Sequence, residues 1–315
     1  MKEIVITKNE EGYKLKKLCM NYLNTAPASF IYKMLRKKNI VLNDKKADGN
    51  ETLYCGDSVK MYLSDETIQK FRKESNDTPS RKSVKLDIIY EDDDIIIVNK
   101  PSGILSQKAK PDDYSINEAI IDYLLSKGAI TSESLDTFHP SICNRLDRNT
   151  SGIILAGKTP AGSKYLSEQI RSRKMSKYYL AVAAGGFEYD KKYIECYLAK
   201  DNDKNLVQIY DKKPEEKAEL IKTEIEIIKY NPERDLSLVK VKLITGKSHQ
   251  IRAVLSHMGH PILGDYKYGS RRINDMYKKE FGINTQLLHA YLVEFSDGRE
   301  FHADVPDIFN NLLAL

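Results

Sequence analysis

A carboxylate, Asp147, stands in the run Asn144-Arg145-Leu146-Asp147-Arg148-Asn149-Thr150-Ser151-Gly152, just ahead of the apolar stretch Ile153-Ile154-Leu155-Ala156. A loop carboxylate at the edge of a buried strand can serve as a nucleophile or a general base. An Asp between two arginines can equally be a structural ion pair or a turn residue. His249, His257 and His260 raise a metal site, since H-x-x-H can place two ligands on one helical face. No H-E-x-x-H accompanies them and Gly259 interrupts the helix, so no metal is expected. Pro101-Ser102-Gly103 and Gly185-Gly186 read as turns and build neither G-x-G-x-x-G nor a P-loop, so no nucleotide cofactor is expected either. Glycoside hydrolysis normally uses two carboxylates, and only one sits in a suitable loop.

The elements that must position these groups follow from periodicity. Strands are predicted at Ile88–Tyr90, Ile95–Asn99, Gly152–Gly157, Tyr178–Ala183, Glu224–Tyr230 and Leu236–Ile244, with helices near 160–172 and 248–258. Thr159 and Pro160 form a start signal for the first helix. Arg171, Arg173 and Lys174 at its far end either complement the helix dipole or reach a phosphate. In the second helix Ile251, Val254, Leu255 and Met258 form an apolar stripe between Ser248 and Gly259, which leaves Arg252 off the stripe as a surface arginine. Many short strands with few helices predict an α+β fold built on a mixed, largely antiparallel sheet with flanking helices.

Residues 14–38 show helical spacing twice, at Leu15, Leu18, Tyr22 and Leu23 and again at Ile31, Met34 and Leu35, with Lys33, Arg36, Lys37 and Lys38 interleaved. An apolar run, Ile40-Val41-Leu42, a turn at Asn43-Asp44 and an alternating strand at Val59, Met61 and Leu63 complete a unit over 1–64. Residues 65–83 are polar and nearly aperiodic, and are expected to be a flexible tether before a main domain at 84–315. Residues 1–64 hold 12 basic against 7 acidic groups, which accounts for the whole formal charge of +5. A basic arm on a balanced body suits nucleic acid, although a solvated lysine face reads the same way.

Of the 315 residues, 41% are hydrophobic and 30% charged, a globular composition. No apolar run reaches the length of a membrane span, and MKEIVITKNE lacks the apolar core of a signal peptide, so no membrane contact and a cytoplasmic location are expected. The four cysteines are too scattered for a disulfide framework.

The run around Asp147 resembles the R-L-D-x-x-T-S-G signature of the RluA-type RNA pseudouridine synthases. LDIIYEDDDIIIVNKPSGILSQ at 86–107, Lys177-Tyr178-Tyr179-Leu180-Ala181, LITGKSHQIRAVLSHMGHPILGDYKYG at 243–269 and Leu288-His289-Ala290 are similar to further segments of that family in the same order. Asn144 stands where many members have His, and Lys247 where Arg is usual. The resemblance implies an isomerase that breaks N1–C1′ of a uridine and rejoins the base through C5 without a cofactor. It assigns Asp147 as the catalytic carboxylate, Arg252 as the cation that keeps it ionised, and Tyr179 as the ring that stacks on the base with its hydroxyl near the C5 proton. Arg145 would fill the space left by an extruded base. Lys33, Arg36, Lys37, Lys38, Lys247 and His249 are expected to contact RNA. The N-terminal unit resembles an S4-type RNA-binding module. The implied partner is RNA, ribosomal before transfer RNA, and the chain is expected to act as a monomer.

Overall fold

The computed structural model describes residues 1–72, 84–110, 112–201, 206–214 and 217–314. The N-terminal part runs β1 (Lys2–Val5), α1 (Leu15–Tyr22), α2 (Ala28–Arg36), β2 (Ile40–Leu42), β3 (Lys45–Lys46), β4 (Ser58–Met61) and α3 (Asp65–Phe71). Next come β5 (Asp87–Glu91), β6 (Ile95–Lys100), α4 (Ile116–Ser126), α5 (Ser132–Leu135), β7 (Ser141–Ile142), β8 (Ser151–Gly157), α6 (Pro160–Arg171) and β9 (Ser176–Ala184). The C-terminal part holds β10 (Lys191–Asp201), β11 (Leu206–Tyr210), β12 (Glu219–Asn231), β13 (Leu236–Leu243), α7 (Gln250–His257), α8 (Arg271–Phe281), β14 (Leu288–Glu294), β15 (Glu300–His302) and α9 (Asp307–Leu313).

The first four strands form an antiparallel sheet in the order β1-β4-β2-β3. The helical spacing read from the sequence is the spacing that buries: Leu15, Leu18, Ile31 and Leu35 close a core of their own against Ile40, Val59 and Met61. The basic residues between them, Lys33, Arg36, Lys37 and Lys38, stay exposed. The expected tether needs correction at its start. Ser64 accepts the Thr67 amide at 3.3 Å, Asp65 and Glu66 occupy the first turn, and a helix forms over Asp65–Phe71. Ile68 and Phe71 pack on the N-terminal core, with the Phe71 ring 4.5 Å from Phe30. This helix of about two turns carries too few apolar positions for a period to show. The remainder of the tether, 73–83, lies outside the described residues.

The large sheet runs β11-β10-β12-β13-β9-β14-β8-β6-β5, with β15 on β14 and β7 on β8. It is mixed and largely antiparallel: β14 and β8 are its parallel pair, at His289↔Ser151 and Ala290↔Gly152. Their close approach requires glycine at 152, where φ is +110° and a Cβ would overlap the Ala290 backbone. The six strands and two helices predicted for this part all form, within a few residues of the expected ends except at β12, which begins five residues early. The helices α4, α5, α8 and α9 and the strands β7, β10, β11, β14 and β15 were not predicted. Start and stop signals for α8 are nonetheless present, since Ser270 caps Ile273 and Gly282 ends the helix in the left-handed region.

Polar contacts join the two parts. Asn21 Nδ2 donates to Thr137 O at 2.6 Å, Thr137 Oγ1 donates to Glu10 Oε1 at 2.6 Å, and Arg72 pairs with Asp136. No helix among the described residues is long and apolar enough to cross a membrane.

Candidate active site

The loop between β7 and β8 carries Asp147, and a second loop braces it from behind. Ser106 Oγ donates to Leu146 O at 2.7 Å and accepts the Leu146 amide at 3.0 Å, while Gly103 N and Lys100 Nζ each reach Arg148 O at 3.0 Å. Lys100 is fully buried. Its ammonium spends all three donors on backbone carbonyls, the other two being Pro101 O at 3.0 Å and Ile104 O at 2.9 Å. Burial pulls its pKa down to about 8, against the opposing pull of the Asp147 charge. On the far side, Asn144 accepts the Leu155 amide at 2.7 Å and donates to Ile153 O at 3.0 Å, fastening the loop to β8. Asn144 thus orients the loop by hydrogen bonding.

Arg252 projects from α7 and donates through Nη1 to Asp147 Oδ2 at 2.7 Å. Its Nε and Nη2 grip Asp265 at 2.7 and 2.9 Å in a bidentate pair. The surface-arginine reading is therefore corrected: Arg252 is 7% exposed, because α7 is buried on all sides from Gln250 to Leu255. Burial opposes the charge, yet the two carboxylates raise the arginine's pKa above its ordinary value. Asp265 is itself buried and also accepts the Lys267 and Tyr268 amides at 2.9 and 3.1 Å. No role was read for Asp265 or Lys100 in the sequence, although both stand in segments that carried the family resemblance.

Ser248 does not open α7. His249 takes the cap position in the left-handed region, at φ 55°, with Nδ1 2.8 Å from the Tyr268 hydroxyl. Its Nε2 lies 3.9 Å from Asp147 Oδ2. Burial, partly offset by the Asp147 charge, lowers its pKa and keeps it neutral at neutral pH. The other two histidines face elsewhere, His257 toward Asp211 at 3.0 Å and His260 toward Ala184 O at 3.0 Å. Tyr179, on β9, is buried, and burial followed by the Asp147 charge raises its pKa, so it stays a phenol. It can therefore stack and hydrogen-bond but does not supply a phenolate base at neutral pH.

These groups meet in a cleft of about 770 Å³. Arg145, Arg148, Lys177, Lys200, Lys247, Arg252 and Lys267 line it, against Asp147 as the one carboxylate among its described lining residues. Arg145 is exposed beside Asp147, and Lys247 pairs with Glu219 at the rim. Lys33, Arg36, Lys37 and Lys38 are not among the residues lining this cleft. A cationic cleft with an ion-paired carboxylate and a tyrosine at its base suits a reaction on a polyanion.

Fold and site define an enzyme class that remodels a nucleoside within RNA. The chain belongs to the RNA pseudouridylate synthase family, whose pattern it matches over residues 94–257, and it is an isomerase of that family. It is 31% identical over 302 residues to the ribosomal large subunit pseudouridine synthase C of Vibrio vulnificus, covering 92% of this chain and 87% of that one. The enzyme of the same name from Haemophilus influenzae is 31% identical over 304 residues, covering 94% and 87%. The fold is shared with human RNA pseudouridylate synthase domain containing 4, at TM-score 0.59 and 19% identity over 72% of this chain and 91% of that one.

Proposed function

We propose that this chain converts uridines of large-subunit ribosomal RNA to pseudouridine, with Asp147 as the catalytic carboxylate. The observation that carries the reading is the 2.7 Å pair between Arg252 Nη1 and Asp147 Oδ2 in a cationic cleft. Both similar bacterial enzymes bear a large-subunit ribosomal name, which supports that substrate.

In the reaction N1–C1′ breaks, the detached uracil turns, C5–C1′ forms, the C5 proton leaves and N1 ends protonated. Atoms and electrons balance without a redox partner. Asp147 acts on C1′, on the uracil ring or on a 2′ proton, and each route uses its ionised oxygen. Tyr179 supplies a ring for stacking and a neutral hydroxyl. Arg145, free of any described ion pair at the cleft, is the planar cation that takes the place of the extruded base. Residues 1–64 act as an S4-like module through the exposed Lys33, Arg36, Lys37 and Lys38, while Lys247 and His249 meet RNA at the cleft. A ribosomal RNA substrate places the work in the cytoplasm, with one chain sufficient for the site.

The test is Asp147→Asn, which keeps the volume and removes the charge. Tritium release from RNA labelled at uridine C5 is expected to fall below detection, while RNA affinity stays within about tenfold, or about 1.4 kcal/mol. Wild-type release by a folded, RNA-binding variant overturns the assignment.

A further inference from the structure

We propose that Lys177 forms an anion subsite on the cleft wall that holds a backbone phosphate next to the nucleotide bound at Asp147. The inference deepens the proposed action on RNA and rests on it. Strand alternation puts Lys177 and Tyr179 on the same face of β9, roughly 7 Å apart along the chain, and both line the cleft. Lys177 therefore lies two residues along the strand from the tyrosine assigned to the target base.

Its surroundings differ from those of Arg252 and Lys247 in the same cleft. Arg252 has two carboxylates and Lys247 has Glu219. Lys177 pairs with no described carboxylate, and burial, with no opposing charge, lowers its pKa. Holding a half-buried cation without a counter-charge is unfavourable in the free protein, and an arriving anion removes that penalty. Gly246 lies alongside Lys177: a Cβ there would meet Lys177 Nζ at 3.6 Å, in ordinary contact. Within an RNA ligand the uracil is neutral and the charge lies on phosphates, so the group that compensates Lys177 is a phosphate.

The experiment measures binding of a short fluorescent oligouridine across a salt series by wild type, K177M and K177R. The K177M protein is expected to bind more weakly, with a log–log salt slope shallower by about 0.7, the value for one phosphate on a single strand. K177R is expected to keep the wild-type slope. K177Q replaces K177M if thermal melting shows the latter to be misfolded. An unchanged slope in a folded K177M or K177Q protein overturns the subsite. So does a K177M deficit that persists on an oligomer with neutral methylphosphonate linkages. Absence of tritium release from labelled ribosomal RNA by wild type would instead sink the proposed reaction, and the slope is read independently of it.

Discussion

Arg252 holds two carboxylates at once: Asp265 takes Nε and Nη2, and the remaining Nη1 is aimed at Asp147. The guanidinium is planar, so fixing two of its nitrogens fixes the direction of the third. Asp265 is thus a positioning residue for the Asp147 partner. Asp265→Asn is expected to lower kcat by about 10–100-fold, by analogy with lost outer-shell partners of metal ligands, and to cost about 2 kcal/mol of stability. Single-turnover kinetics and thermal melting check both. A variant that loses stability but keeps wild-type kcat would confine Asp265 to a structural role.

Lys100 ties the bracing loop to the Asp147 loop, donating to Pro101 O and Ile104 O on one and to Arg148 O on the other. Lys100→Met leaves Pro101 O and Ile104 O without their donor, at about 1–3 kcal/mol for each one that stays dry, while Arg148 O keeps the Gly103 amide. Because Lys100 titrates at about 8, wild-type activity is expected to decline above that pH, as a neutral amine has two donors for three acceptors. A pH–rate profile checks this. A flat profile through the alkaline range in wild type would contradict it.

His289 joins β14 to the start of β8, with Nδ1 2.8 Å from Ser151 Oγ, and it is fully buried. Burial lowers its pKa from 6.5 to about 4, so between those values the unfolded chain binds a proton that the folded chain does not. Its contribution to stability is therefore fully present above 6.5 and is lost as pH falls toward 4; this interval corresponds to about 3 kcal/mol. Denaturant titrations from neutral pH downward are expected to show a shallower decline for His289→Gln than for wild type. Parallel declines would place the acid sensitivity in other groups.

The N-terminal part ends structurally after α3. Deleting residues 1–64 strips the core that covers Ile68 and Phe71 and leaves Arg72 without Tyr22, whose hydroxyl accepts from Nη1 at 3.1 Å. That truncation is expected to melt lower than one lacking 1–83. Both are expected to bind RNA with a shallower salt dependence, since the net positive charge is gone. Equal melting temperatures for the two would mean that α3 stands without its core.

Local order settled a large part of this protein in advance. The continuous apolar runs at Ile95–Val98 and Ile153–Ala156, the Thr159-Pro160 start signal and the helical spacing in α1 and α2 each concern residues close in sequence, so one window contains the information. The place of Asp147 in a loop ahead of a buried strand was legible because that run is contiguous. The pairing of Arg252 with Asp147 came from resemblance alone, since helical spacing pointed Arg252 at solvent.

What the tertiary structure decided is whatever depends on partners far apart in the chain. Arg252 meets Asp147 across 105 positions, and Lys100 meets the Arg148 carbonyl across 48. A buried lysine with three carbonyls and a surface lysine read alike in sequence, as do a positioning aspartate and a turn aspartate. Side-chain type fixes how many hydrogen bonds a group can make, but only the packed sheet brings the acceptors to it and removes the water that would otherwise satisfy it.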